Sequence, residues 1–495
     1  MVSIDIDAES GTSEIEKEES FHIPLVLTLS SANLLNTLTV QSSMIILPSI
    51  ARDLDIPAAR QQWIISSYYI AYGCFLLLWG RLADIYGRRT TFILGSAWVT
   101  ASTIAVPFAP NEIAFDILRA MQGFGGAANV SSGLGILGGT FGPGKPKDYA
   151  FSIYGAGHSL GTILGILLGG VIGQYLSWKW IFWIFGILAG GVAVAGVLVI
   201  PSHAAADRIA AARKGGVDWL GGALITTSLL LLTFTLTEAE VDGWERPWIP
   251  PVLSASVVIG VLFVCWQVYL ELRTTRAPLL KMSIWLNTRF TAAQVVLALF
   301  QGSFNNFLLF ATYYYQDFLS KSVISTTLYF LPTGIVGLAA SFLAAKAMSR
   351  IRSDALLTFC TSCLAVSCLL YALPIPPAAP YWSAGFVAMC LAALGSDLLA
   401  PVLTLFTALS LPPEDQALGG GICNSIVQIG RVVALVVATA IQTAVVKQGD
   451  GGPGGAGLLS SLHAAQYFNF ALALSSAVLV AYAFRGGQKV GTAGK

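Results

Sequence analysis

The chain has 495 residues, 55% of them hydrophobic and only 11% charged, with a mean hydropathy of +0.72. Soluble globular proteins carry about 25% charged residues, so that class is excluded. The repeated apolar runs are helix-length, which excludes a membrane β-barrel. The net charge of +1 averages an acidic tail with basic loops and points to no nucleic-acid partner.

Residues 1–22 are polar and hold Asp5, Asp7, Glu9, Glu14, Glu16, Glu18 and Glu19 against Lys17. This charge is opposite to that of a secretory leader, and the stretch reads as a disordered tail. Fourteen apolar spans follow, at about 25–47, 62–80, 91–109, 113–138, 150–174, 179–200, 218–237, 250–270, 290–313, 323–345, 355–373, 381–410, 418–446 and 465–484. Nineteen of the 27 Lys and Arg residues fall on the side of the two tails and six on the other. That asymmetry places both tails in the cytoplasm of a multi-pass protein, with the plasma membrane the expected site. Trp63, Trp178, Trp180, Trp244, Trp248 and Trp382 fall at the outer ends of spans, where an amphipathic ring suits the headgroup layer.

Between spans 2 and 3 stands Gly80-Arg-Leu-Ala-Asp84-Ile-Tyr-Gly87-Arg88-Arg89. The two glycines permit a tight reversal, and Asp84 among Arg81, Arg88 and Arg89 can form an ion pair. Span 4 carries Asp116-Ile-Leu-Arg119-Ala-Met-Gln122-Gly123, with Arg119 and Gln122 on one helix face and Asp116 a turn earlier. A charge inside a span costs about 2.5–3.5 kcal/mol on the insertion scale and usually faces a partner or a cavity. Span 5 repeats Gly157, Gly161, Gly165, Gly169 and Gly173, a spacing that lets another helix approach closely. His158 on that span is either a packed neutral imidazole or a proton carrier.

The 80–90 loop resembles the signature loop of the major facilitator superfamily, and Arg119-x-x-Gln122-Gly123 resembles its second motif, whose arginine takes part in proton coupling. The span-5 glycines, with Trp178-Lys179-Trp180 after them, look like the antiporter motif, except that Ile166 stands where the motif has proline. The span-1 ending, Ile46-Leu47-Pro48, is similar to that of fourteen-helix drug:proton antiporters, but the acid common near its start is replaced by Asn36 or Thr39. Leu34-Leu35-Asn36-Thr37 and Gly395-Ser396-Asp397 resemble a fungal branch that includes metabolite exporters and a low-affinity ammonium carrier. The resemblance implies an all-α major facilitator fold with fourteen transmembrane helices arranged six, two, six. Its parts would be a first half at 23–200, a cytoplasmic linker at 201–217, an inserted pair at 218–270, a second half at 271–485 and a tail at 486–495.

The implied activity is proton-coupled export of a small organic compound by alternating access. The alternatives are uptake of a small solute such as ammonium, or a transporter-like sensor. Asp116, Arg119, Asp397 and Arg431 are the candidates for proton coupling, and consecutive spans could pair Asp397 with Arg431. Gln122, Gln301, Asn305, Asn306 and Gln428 are candidates for the substrate cavity. Partners would be a small molecule, protons and lipid, with the chain a monomer. No enzyme, cofactor or metal constellation is present: the four histidines are scattered, and Gly139 to Pro146 lacks the Ser or Thr of a P-loop. The seven cysteines lie in apolar runs and read as buried thiols. Asn129-Val-Ser131 is a sequon inside span 4, beyond the reach of glycosylation.

Overall fold

Among the described residues fourteen long helices follow one another: α1 (Ile23–Asp53), α2 (Trp63–Tyr86), α3 (Arg88–Ala105), α4 (Glu112–Thr140), α5 (Lys145–Tyr175), α6 (Lys179–Val199), α7 (Trp219–Asp242), α8 (Ile249–Arg273), α9 (Thr288–Tyr313), α10 (Val323–Arg350), α11 (Ser353–Ala372), α12 (Gly385–Leu409), α13 (Gln416–Gln448) and α14 (Ala456–Ala483). The computed structural model describes residues 22–56, 60, 63–142, 144–201, 217–243, 246–274, 276, 278–321, 323–373, 380–411, 416–448 and 456–485. The expected acidic tail, most of the 201–217 linker, the final tail and Trp244 lie outside those residues.

Thirteen of the helices are long and apolar enough to cross a membrane. The other is α4, whose interior is rich in glycine, carries Gln122, Asn129, Ser131 and Ser132, and is buried at most positions from Phe115 to Gly138. Its neighbours are protein rather than lipid, so low hydropathy costs it little. Several helix starts follow local chemistry. Asn111 accepts from the Ala114 amide at 2.9 Å, Asp218 from Gly221 at 2.9 Å, and Asn287 from Arg289 and Phe290, each satisfying amides that the first turn leaves open.

The packing repeats with an offset of eight helices. In the first group α1 packs on α5 and α6, α2 on α4, and α3 on α4 and α6; in the second α9 packs on α13 and α14, α10 on α12, and α11 on α12 and α14. The groups meet through α2 against α13 and α5 against α10, two contacts related by the same offset. Helices α7 and α8 pack chiefly on each other, and α7 also touches α2 and α13. This is the expected six, two, six arrangement.

The glycines of α5 explain its close approach to α1. A Cβ added at Gly157, Gly161, Gly165 or Gly169 would stand 2.5–2.8 Å from backbone atoms of Ser30, Leu34, Leu38 or Ser42. The absent proline leaves α5 unbroken, and the Gly165 carbonyl accepts from Ser42 Oγ at 2.8 Å.

One local expectation needs correction. Gly80 does not sit at the reversal after span 2. Helix α2 runs through it to Tyr86 and α3 starts at Arg88, so the turn is Gly87 alone, at φ 104°. Only glycine takes that backbone conformation without strain. The extra turns of α2 persist because Arg81 and Asp84 are buried against neighbours rather than left in a loop.

Candidate functional site

The 80–90 segment ties five helices together, α2, α3, α4, α6 and α13. Asp84, its side chain fully buried, pairs through Oδ1 with Arg88 Nε at 2.9 Å. Its Oδ2 accepts from the Leu418 amide at 2.9 Å. Leu418 lies in the first turn of α13, where unpaired amides and the helix dipole favour a negative charge. Arg88 donates to the Gly135 carbonyl of α4 and Arg89 to the Val197 carbonyl of α6, both at 2.8 Å. Asp84 therefore links the first group to the second at the face carrying this segment, the loop-80 face.

Arg119 is fully buried inside the first group and lines neither of the two cavities described below. It donates to the Ile64 carbonyl at 3.2 Å and to Gln122 Oε1, and its guanidinium lies 5.0 Å from the Tyr68 ring centroid. Gln122 in turn donates to Thr103 at 2.7 Å. Asp116, a turn earlier on the same helix, does not meet Arg119: no ion pair joins them, and Asp116 Oδ1 is buried without a hydrogen-bond partner. Tyr68 and the Ile64 carbonyl, both from α2, hold the arginine side chain instead.

A cavity of about 210 Å³ opens at the seam of the two groups. Asn33, Asn36 and Thr37 of α1, Tyr68, Tyr69 and Tyr72 of α2, and Tyr154 and His158 of α5 line one wall. Gln301 of α9, Asp397 of α12, and Asn424, Gln428 and Arg431 of α13 line the other. His158 Nδ1 meets Thr37 Oγ1 at 2.9 Å. Asn36 donates to Asn129 at 2.8 Å, so the sequon asparagine is a buried structural partner. Asp397 accepts from Ser159 Oγ of α5, and its other oxygen packs on Gly337 of α10. Arg431 reaches Gln428 and Gln301, each at 3.3 Å. The expected Asp397–Arg431 ion pair is absent; both charges line one cavity with different partners, Asp397 on Ser159 of α5 and Arg431 on Gln301 of α9 and Gln428 of its own helix.

Of the residues expected in the cavity, Gln301 and Gln428 line it. Gln122 serves Arg119. Asn306 is fully buried with neither amide atom partnered. Asn305 lines a second pocket of about 150 Å³, beside the first and bounded by α2, α7, α9 and α13. The tyrosines 68, 69, 72 and 154 escaped the sequence reading; a cluster of three aromatics within five residues of one span was the signal available.

The direct contacts between the groups run from the middle of the helices to the loop-80 face. They include Ser159 with Ser341 and Asp397, Gly73 and Leu76 with Ser425 and Gly421, and Asp84 with Leu418. The seam is thus fastened below the cavity on that face.

Two related six-helix groups around a polar seam cavity define a membrane transport protein. Residues 29–435 match the Major Facilitator Superfamily, and the chain belongs to that family as one of its transporters. It is 29% identical over 399 residues to the low affinity ammonium transporter of Saccharomyces cerevisiae, covering 80% of this chain and 76% of that one. It is 28% identical over 395 residues to the multidrug transporter mdr3 of Aspergillus fumigatus, covering 79% and 67%. The solved structure of the human organic anion transporter MFSD10 shares the fold, with a TM-score of 0.63 at 16% identity over 93% of this chain and 99% of that one.

Proposed function

We propose that the chain is a proton-coupled exporter of a small amphipathic organic compound, working by alternating access. The observation that carries this reading is the polar and aromatic seam cavity, with the seam fastened on one face by the Asp84 contact to α13. A transporter needs a site that can be closed from either side in turn, and a latch made of one ion pair and one helix terminus can be released without unfolding a helix. Relatives named as multidrug transporters and efflux pumps support export. On this reading the chain is a monomer of the fourteen-helix drug:proton antiporters, fungal branch, in the plasma membrane with both tails cytoplasmic. The loop-80 face is then the cytoplasmic one, the cavity is poised outward, and the part boundaries are those read from the sequence.

Asp397 is the better proton carrier of the two acids first considered, since it lines the cavity and bridges both groups, whereas Asp116 lines neither pocket. A second reading, uptake of ammonium, rests on the name of the yeast relative. Yeast cells expressing the chain, loaded with fluorescein and in parallel offered radiolabelled methylammonium, separate the two. Export predicts faster fluorescein loss that a protonophore abolishes. Raised methylammonium uptake with unchanged fluorescein loss would replace the export reading.

A further inference from the structure

Resting on the reading of the seam cavity as the transport site, we propose that it takes an amphipathic organic anion, with the carboxylate on Arg431 and the apolar chain in the pocket against α7. Arg431 stands where the two cavities meet; Tyr69 and Gln428 are the other residues that line both. A guanidinium held this way should have a carboxylate, yet none among the described residues pairs with it. Its two contacts are long, at 3.3 Å, and go to neutral amide oxygens, and its Nε is buried without any partner. The planar fork of arginine is built for two parallel bonds to a carboxylate. The site has the donors and lacks the acceptor.

The acid in the same cavity does not fill this role. Asp397 spends one oxygen on Ser159 and packs the other against Gly337, so it faces the α5–α10 seam. An amine on Asp397 is the competing arrangement, and the test below separates it. The second pocket supplies the apolar half. Ile70, Leu229, Leu236, Val432 and Leu435 line it. Two of these walls belong to α7, so the inserted helix would form part of the binding site rather than a lipid-facing addition. An anion whose chain runs from Arg431 toward α7 satisfies the arginine and the apolar pocket with one molecule.

The test is saturation binding of radiolabelled octanoate and octylammonium to the full chain in phosphatidylcholine nanodiscs, with empty nanodiscs subtracted. Octanoate is expected to bind saturably and octylammonium at least tenfold more weakly. Arg431→Gln should weaken octanoate about 10-fold or more, the effect of losing a charge-assisted pair, while Arg431→Lys, which keeps the charge but not the fork, should weaken it less than the glutamine does. Leu236→Phe, which narrows the pocket, should weaken decanoate more than butanoate. Should Arg431→Gln fail to fold, the lysine variant and the chain-length series carry the test. Octylammonium binding as tight as octanoate, or decanoate and butanoate responding equally to Leu236→Phe, would overturn the proposal. Octanoate binding in a chain that moves no solute would remove the transport reading and leave the anion site; export of other solutes without octanoate binding would do the reverse.

Discussion

Two pairs of opposite charge behave differently in this molecule. Asp84 and Arg88 stand four residues apart across a helix break and meet at 2.9 Å, with every part of the acid engaged. Asp397 and Arg431 line one cavity and do not meet. The first pair is a fastener: its charges are neutralised by each other and by the α13 terminus, so nothing is left for a ligand. The second pair is held apart: Asp397 bonds Ser159 and packs on Gly337, while Arg431 has two long contacts to Gln428 and Gln301 and an Nε without a partner, so the arginine stays available to something that enters. Unpaired charge inside a membrane is expensive and functional by default, so on the proposed reading the first pair holds one state and the arginine of the second serves the cargo.

The fastener should give the larger effect when broken. Asp84→Asn removes the ion pair and the charge at the α13 terminus together. Breaking a buried pair costs about 3–5 kcal/mol where both ions are desolvated; Arg88 is 20% exposed, so the lower end applies. Transport should fall roughly tenfold with surface expression retained, measured as fluorescein efflux normalised to protein. Unchanged efflux would mean that the seam holds without the latch.

Much of this was legible in the residues, for identifiable reasons. The Asp84–Arg88 pair and the α5 glycine stripe are short-range patterns, four residues apart in each case, and the structure shows what each touches. The end of α2 was misplaced because Gly80 looks like a stop, yet its burial against other helices keeps the helix going. Asp116 and Arg119 share a helix face, but which neighbour wins the arginine depended on Tyr68 and the Ile64 carbonyl, 51 and 55 positions away along the chain. Spacing within one span carries no information about that choice. Asn306, Gln122 and Asn305 illustrate the same limit: a polar residue in a span must face something, and only the packing decides whether it is a helix, a cavity or another side chain.

The seam's rigid wall gives the next largest effect. Gly161→Val places a branched side chain against the Leu34 carbonyl and Thr37. Overpacking of this kind typically costs about 1–3 kcal/mol, expected as a lowered unfolding midpoint in detergent. Gly170→Ala is the matched control. A Cβ there meets only Ile45, at 3.9 Å, so its midpoint should stay with the parent. Equal loss in both variants would mean that glycine on α5 matters for flexibility rather than for the approach to α1.

The held-apart charges predict a smaller coupling. Without a shared partner, the effects of Asp397→Asn and Arg431→Gln on unfolding free energy should add to within about 0.5 kcal/mol. A double variant milder than the sum by more than that would show that the two charges meet in a state other than this one, which would move them to the fastener side of the comparison.

The smallest effect is expected at Asp116, and it sharpens the comparison from outside it. This acid belongs to neither class: it is not paired with Arg119, and it lines neither the seam cavity nor the pocket beside α7. Glu112, one turn away, already has a partner in Arg60 at 2.9 Å. The neighbourhood is therefore the mouth of α4, opposite the loop-80 face, where a carboxylate can be lost without stranding a cation. A proton carrier must reach the cavity from both sides in turn, and nothing in this arrangement lets Asp116 do so. In proteoliposomes with an imposed pH gradient, Asp116→Asn should change gradient-driven octanoate transport by less than about twofold, the scale of a surface charge. Asp397→Asn should abolish the response to the gradient while leaving downhill exchange. If the Asp116 variant loses the response and the Asp397 variant keeps it, proton coupling runs through the first group after all, and the acid in the cavity belongs to the walls rather than to the cargo.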